Sequence, residues 1–389
     1  MTDEIKNISG FALEGQEGLA SWLRELGGES AAVEVLSMCL AMAARRGDAA
    51  VARRLLAEGA DPQLGHQPAS HKDKARVADC NGEQAWTTPW SAAVAADSLE
   101  CLEAMVEAGL NPVSPRVMHD CWNDEDLCLA RFAANKGAAR CLARAMEWAR
   151  EREPWRVKKI TEDVWRELAS GGECWEKVEE MARALCLGGG DIEEKLENCS
   201  GKTPLELAAG TSPSATKGLL AAGADPRQGN PVQCAVNNTY VGTQECLDAL
   251  LAAGADPDNS TGPYGVQFPI VTAIETRQEG KVAALIGAGA NVARKVDQES
   301  QLRSGLVQES LLARAARYSS ARCVGVLLAA GLDPDEKIDG MALATWLEAQ
   351  PWRRASALMI AEIRAASEAK ALAAAAKAPL KRRASAPRI

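Results

Sequence analysis

The chain has 389 residues, enough for two or three ordinary domains or for one long repeat array. Aromatic content is only 4%, while glycine (32) and alanine are plentiful and β-branched residues sparse; this is the composition of short, closely stacked helices rather than of broad sheets. Lys plus Arg is 44 and Asp plus Glu is 53, a net charge of −9. The segment after Glu368 holds no acid and six bases, so residues 1–368 carry about −15 (−9 − 6). Such a body repels nucleic acid and attracts a basic surface.

The first residues, Met1-Thr2-Asp3-Glu4-Ile5-Lys6, are polar and lack the apolar stretch of an export signal. No apolar run approaches the ~18 residues of a membrane span. Twelve cysteines show no small-domain disulfide framework, so free thiols in a reducing, cytoplasmic setting are expected.

Residues 1–35 read as a polar lead and one capping helix, roughly Gln16 to Leu26, with an apolar stripe of Trp22, Leu23 and Leu26 and a stop at Gly27-Gly28. From about Leu36 a signal recurs. Leu219-Leu220-Ala221-Ala222-Gly223-Ala224-Asp225-Pro226 repeats letter for letter at Leu250–Pro257. Looser copies stand at Leu55–Pro62, Met105–Pro112, Leu285–Val292 and Leu327–Pro334, and a degraded one at Leu185–Ile192. Each reads as a helix end: two apolar residues, a glycine for the left-handed position, Asp or Asn for the turn, and usually Pro against return. Taking the glycine as origin, the array runs Gly59, Gly109, a lost one near Ala149, Gly189, Gly223, Gly254, Gly289, Gly331, or eight repeats. The early steps are the longest, which places extra residues in loops after Pro62, after Pro112 and around 150–160.

In the fifth repeat, Thr203-Pro204-Leu205-Glu206-Leu207-Ala208-Ala209 opens a helix with a capping box, a short turn follows at Gly210–Ser214, and the LLAAGADP stretch closes a second helix. TPLELAA followed by LLAAGADP resembles the ankyrin repeat. Thr88–Ala93, Pro231–Ala235 and Phe268–Ala273 are weaker copies of its first half. The resemblance implies an all-α ankyrin-repeat solenoid over residues 36–340, built of stacked antiparallel helix pairs with finger-like loops between them. Residues 341–378 then form C-terminal capping helices (Met341–Gln350, then a helix from Pro351), and 379–389 a basic tail read as disordered. The histidine that the family carries after its TPL triplet is replaced here by Glu206, Ser91, Gln233 and Val271, so its hydrogen bonding must be supplied otherwise.

Enzyme signatures are absent: no P-loop, no GxSxG, no HExxH, no dinucleotide fingerprint. Gly188-Gly189-Gly190 follows a helix and reads as its terminus. Cys101, Cys141, Cys246 and Cys323 each lie eight residues before the motif glycine or its slot, a column that faces the stack; they read, with Cys234, as small core residues. His66, His71, Cys80, His119 and Cys121 gather in the two extended fingers. They are metal-ligand types, but their spacing matches no zinc pattern, so neither metal nor cofactor is expected.

Seven of the ten tryptophans lie between 86 and 175. Trp90, Trp148 and Trp165 fall on helical stripes and read as core. Trp86 and Trp122 fall on fingers, and Trp122 precedes Asn123, Asp124, Glu125 and Asp126. An aromatic ring beside acids has the makeup of a binding anchor with an electrostatic rim. The expectation is a monomeric, non-enzymatic binding protein that sequesters, inhibits or scaffolds one protein partner bearing a basic patch, one concrete form being an immunity or inhibitor protein that occludes a toxin or enzyme. A metal- or redox-responsive regulator and a host-directed effector are the alternative readings.

Overall fold

The computed structural model describes residues 19–66, 76–78, 85–115, 128–170, 175–238, 242–259, 267–298, 307–318, 320–338, 340–349 and 357–377. Contacts divide the chain into two units, Met1–Gly229 and Asn230–Ile389.

In the first unit the helices come in pairs: α1 (Leu19–Arg46) with α2 (Ala49–Ala57), α3 (Pro89–Ala95) with α4 (Leu99–Glu107), α5 (Leu129–Lys136) with α6 (Ala139–Arg152), α7 (Val157–Ser170) with α8 (Val178–Leu187), and α9 (Pro204–Ala209) with α10 (Pro213–Ala222). The first helices pack on one another in succession, and so do the second helices, giving two layers with the core between them. A short hairpin, β1 (Arg76–Ala78) with β2 (Ala85–Thr87), stands between the first two pairs. The second unit repeats the plan with α11 (Pro231–Asn237) and α12 (Thr243–Ala252), α13 (Pro269–Glu275) and α14 (Glu279–Gly287), then a hairpin of β3 (Lys295–Gln298) and β4 (Val307–Ser310) leading to α15 (Leu311–Arg317) and α16 (Ala321–Ala329). It ends with β5 (Lys337–Ile338), β6 (Met341–Ala342), α17 (Leu343–Glu348) and α18 (Ala357–Lys377).

The recurring stretch does what its residues demand. In the copy at 219–226, Gly223 has φ 107°, its N–H bonds back to Leu220 O, and the N–H of Ala224 reaches Leu219 O. That double bond satisfies carbonyls that a helix end would leave open. The same reach across five residues recurs at Ala60 to Leu55, Leu110 to Met105, Ala255 to Leu250 and Ala290 to Leu285. The accepting residues are apolar and buried, so one element ends the helix and fills the core. The Asp or Asn that follows folds its carboxylate or amide oxygen onto the N–H two residues on, at 2.8–3.1 Å in Asp61, Asn111, Asp191, Asp225, Asp256, Asn291 and Asp333.

Helix starts are equally literal. Thr203 and Glu206 close a capping box, as do Thr88 and Ser91, each with Pro at the first helical position. Ser212 caps α10 at Pro213, so the turn after α9 is shorter than Gly210–Ser214.

The break expected at Gly27-Gly28 is present: within Leu19–Arg46 the backbone leaves the helical region at Gly28 (φ 79°, ψ 178°), so one helix ends there and a second runs on to Arg46. Two expectations change. The extra residues at 150–160 do not form a long loop: α6 and α7 grow to 14 residues each, and only residues 153–156 join them. Met341 and Ala342 lie in β6 rather than in the last capping pair, whose first helix begins at Leu343. There Leu343, Trp346, Leu347, Met359 and Ile363 are buried, while Leu358 and Leu372 of α18 are exposed.

Candidate functional site

Fingers occupy the links between one pair and the next, and the feet of three of them are described in the first unit. The first rises from Asp61 and returns at Thr88. Its foot is closed by His66 N–H to Thr87 O (3.0 Å) and Thr87 N–H to His66 O (2.8 Å), and above the foot β1 and β2 pair with Val77 opposite Trp86. The second leaves at Pro115 and returns at Cys128; Leu129 N–H donates to Val113 O at 3.2 Å and fixes its foot. The third is the four-residue link 153–156. Arg156 Nη1 reaches back to Ser114 Oγ (2.8 Å) and to Glu153 (2.8 Å), so the third finger is tied to the foot of the second.

Trp155 stands on that third finger and is 75% exposed. Pro154 before it keeps the link out of helix, and four residues supply no second strand to cover the ring. Arg152, Lys158 and Lys159 are exposed around it, and Lys158 pairs with Glu197 of the following link. Sequence reading grouped Trp155 with the other tryptophans without singling it out. The available signal was its place between Pro154 and Arg156, outside any helical stripe. Trp90, Trp148 and Trp165 are buried, and Trp90 meets Phe132 edge-on at 5.2 Å.

Two acids in the slot of the expected histidine reach the following link. Glu206 is buried, and its carboxylate lies against Gly229 in the following link, so close that a Cβ there would overlap it. Glu162, at the corresponding place in α7, accepts from Asn198 Nδ2 (3.0 Å) and from Glu197 N–H (3.4 Å) of the next link. Gln233 donates to Thr272 of the neighbouring helix at 2.9 Å and to Asn237 at 2.7 Å. Ser91 spends its hydroxyl on the capping box. A carboxylate or amide thus performs the bridging that an imidazole would.

Of the residues expected to bind, Trp86 is placed by its backbone in β2, and its side chain lies outside the described residues. Trp122, Asn123, Asp124, Glu125 and Asp126 also lie outside them. So do His71, Cys80, His119 and Cys121; His66 is placed at the first finger's foot. Among the described residues no group of three or more His, Cys, Asp or Glu could hold a metal ion. The column cysteines 101, 141, 246 and 323 are buried. Burial pushes thiols up: Cys39 to about 11, Cys101, Cys128, Cys186 and Cys323 also above the usual range, and Cys141 furthest, with the Asp97 carboxylate beside it adding to the rise. Such thiols are poor nucleophiles. No helix among the described residues is long and apolar enough to cross a membrane.

On the opposite layer, α6 and α8 flank a groove of about 480 Å³ floored by Ala139, Ala143 and Ala184, with exposed Leu187 at its edge and charges of both signs along its rim.

Among solved structures, the chain is similar to the human ASB11 ankyrin repeat domain at 18% identity, covering 70% of this chain and 97% of that one with a TM-score of 0.35. It is also similar to the ankyrin repeat domain of Bcl-3, described as a unique member of the IkappaB protein family, at 21% identity, covering 62% of this chain and 100% of that one with a TM-score of 0.42. No family model and no curated protein matches the chain. Superpositions this loose leave the assignment to the repeat geometry itself, namely capped first helix, tight turn, second helix, left-handed glycine and finger. Each unit is an array of helix pairs that resemble ankyrin repeats. In the first unit backbone hydrogen bonds close the feet of the links, and the described residues assemble no nucleophile, base and oxyanion donors.

Proposed function

We propose that this protein is a non-enzymatic binding module that holds one partner protein on the finger row of its first unit and so sequesters, inhibits or scaffolds it, as an immunity or inhibitor protein would. The observation that carries the reading is Trp155, a large ring held 75% exposed on a four-residue link whose foot is pinned by Arg156. An exposed aromatic on so short a link supplies much buried area on contact. It stands beside the foot of the finger that carries Trp122 and the acids Asp124, Glu125 and Asp126. The partner then presents an apolar seat with a basic rim toward those acids, in keeping with the acidic body.

The test is capture of the native partner by purified full-length chain from its own cells, then affinity measured for Trp155→Ala and for Trp122→Ala combined with Asp124→Asn and Glu125→Gln. Anchor loss of about 2 kcal/mol corresponds to roughly thirtyfold weaker binding. Each variant is expected to weaken binding by at least tenfold with unchanged far-UV circular dichroism and melting. Undiminished affinity in both would overturn the finger row as the binding surface.

A further inference from the structure

The last helix of the second unit, α18 (Ala357–Lys377), is apolar on two opposite faces. One face is spent on the fold. Met359 and Ile363 are buried, and the helix packs on α16 and α17. In the same row Ser367 bonds to Asp335, and Lys370 Nζ reaches Asp333 and Asp335 at 2.6 and 2.7 Å. The opposite face carries Leu358, Ala361, Ala365, Ala369 and Leu372, at the alternating three- and four-residue spacing that lines side chains along one helix stripe. Leu358 and Leu372 are 73% and 72% exposed, and the three alanines between them are exposed too.

A helix that is apolar all round belongs in an interior. At the end of a stacked array the demand is sharper, because the terminal pair must turn a polar face to water for the array to stay soluble. α18 does the reverse. It packs on α16 as α16 packs on α14, so it closes the row of second helices. Its outer face then offers leucine and alanine where a further helix would bury them.

The order of residues in the stripe says what that helix is. Counted from Ala365, Leu358 and Leu372 stand seven residues to either side, Ala361 and Ala369 four, and Glu362 and Glu368 three. The stripe reads the same in both directions, which is what a patch needs to meet its own copy across a two-fold axis. We propose that the outer face of α18 is a homodimer interface, covered by α18 of a second copy of this chain lying antiparallel. Leu358 then meets Leu372 of the second copy at each end of a contact about 21 Å long. Ala365 meets itself at the centre, where small side chains let the helix axes close to about 8 Å.

The charges agree with a second copy. Glu362 lies on the flank toward α16, its carboxylate against Gly325, and Arg364 on the flank toward α17, paired with Glu348. Glu368 shares the flank of Arg364, four residues on, and has no ion pair among the described residues. In the antiparallel pair Arg364 falls on the same edge of the seam as Glu368 of the second copy, less than a turn away along the axis, and the two-fold makes that contact twice. Glu362 and Glu368 of the second copy sit at one height but on opposite edges, so the like charges do not face each other. The antiparallel arrangement also opposes the two helix dipoles, which a parallel one would align.

The test is sedimentation velocity of the full chain under reducing conditions from about 1 to 100 µM. One helix-on-helix contact lies at the low end of stable interfaces, so a reversible monomer–dimer equilibrium with a Kd on the order of 10 µM is expected. Leu358→Glu combined with Leu372→Glu should weaken it by about thirtyfold or more, and Glu368→Arg by about fivefold. Both variants should melt as wild type does, because the altered side chains are exposed. Orientation is read by oxidising a mixture of Leu358→Cys and Leu372→Cys chains, whose cross-link, located by peptide mass spectrometry, should join position 358 to position 372 and not 358 to 358. A chain that stays monomeric up to about 100 µM leaves the face to a different protein and overturns the proposal. A dimer that survives the double leucine substitution, or a cross-link between two copies of position 358, overturns it as well.

Discussion

Gly218 tests how closely the second-layer helices of the first unit approach. It lies inside α10, where the chain crosses the start of α8. A Cβ built on it would fall 2.8 Å from Val178 Cβ and 3.0 Å from the backbone nitrogen of Glu179. Neither atom is the free end of a flexible side chain, so Gly218→Ala forces the two helices apart or strains them. Overpacking of this kind costs about 1–3 kcal/mol, offset by about 1 kcal/mol of better helix propensity. The net expectation is a loss of up to about 2 kcal/mol, with no net gain. Gly325, inside α16, is the control: its Cβ would meet only the carboxylate of Glu362, at 3.4 Å. Gly325→Ala should keep the propensity gain and stabilise by about 0.5–1 kcal/mol. Urea unfolding by circular dichroism, with hydrogen exchange at α10 and at α16 to localise each effect, gives both signs from one chemical change. If Gly218→Ala stabilises as much as Gly325→Ala, the close crossing of α8 and α10 is wrong.

Two further outcomes follow from buried groups. The indole N–H of Trp165 is buried without a hydrogen-bond partner, which costs about 1–3 kcal/mol; Trp165→Phe removes that donor with part of the ring and should stay within about 1 kcal/mol of wild type, whereas a loss above about 3 kcal/mol in urea unfolding would mean that the N–H is satisfied. The thiols of Cys39, Cys101, Cys128, Cys141 and Cys323, all buried and shifted upward, should resist iodoacetamide at pH 7.4 in the native chain and react once urea unfolds it, as read by peptide mass spectrometry; rapid native alkylation of this set would contradict their packing.

The fold was legible because its punctuation is local. A glycine that must take positive φ, an Asx turn and a threonine–proline helix start act within about five residues, so sequence alone marked seven of the second-helix ends and the capping box at Thr203, and marked Thr88–Ala93 as a weaker copy of that helix start. The column of cysteines was legible for the same reason, since one period fixes one direction. Hairpins β1–β2 and β3–β4 were not, because short strands such as Lys295–Gln298 carry no alternation long enough to read.

Trp155 shows how one lost glycine reshapes a surface. At Ala149 the left-handed stop is missing, and alanine, the best helix former, carries α6 on to Arg152. The added turn advances the chain by about 5 Å, places the Arg150 guanidinium over Gly189, and leaves residues 153–156 to reach α7. Four residues cannot form a hairpin, Pro154 bars further helix, and a bulky ring in so short a link has no neighbour to bury it. The anchor therefore comes from the motif's failure rather than from the motif. Restoring the stop with Ala149→Gly would shorten α6, lengthen the link, and free Trp155 from the position in which Arg156 and Ser114 now hold it.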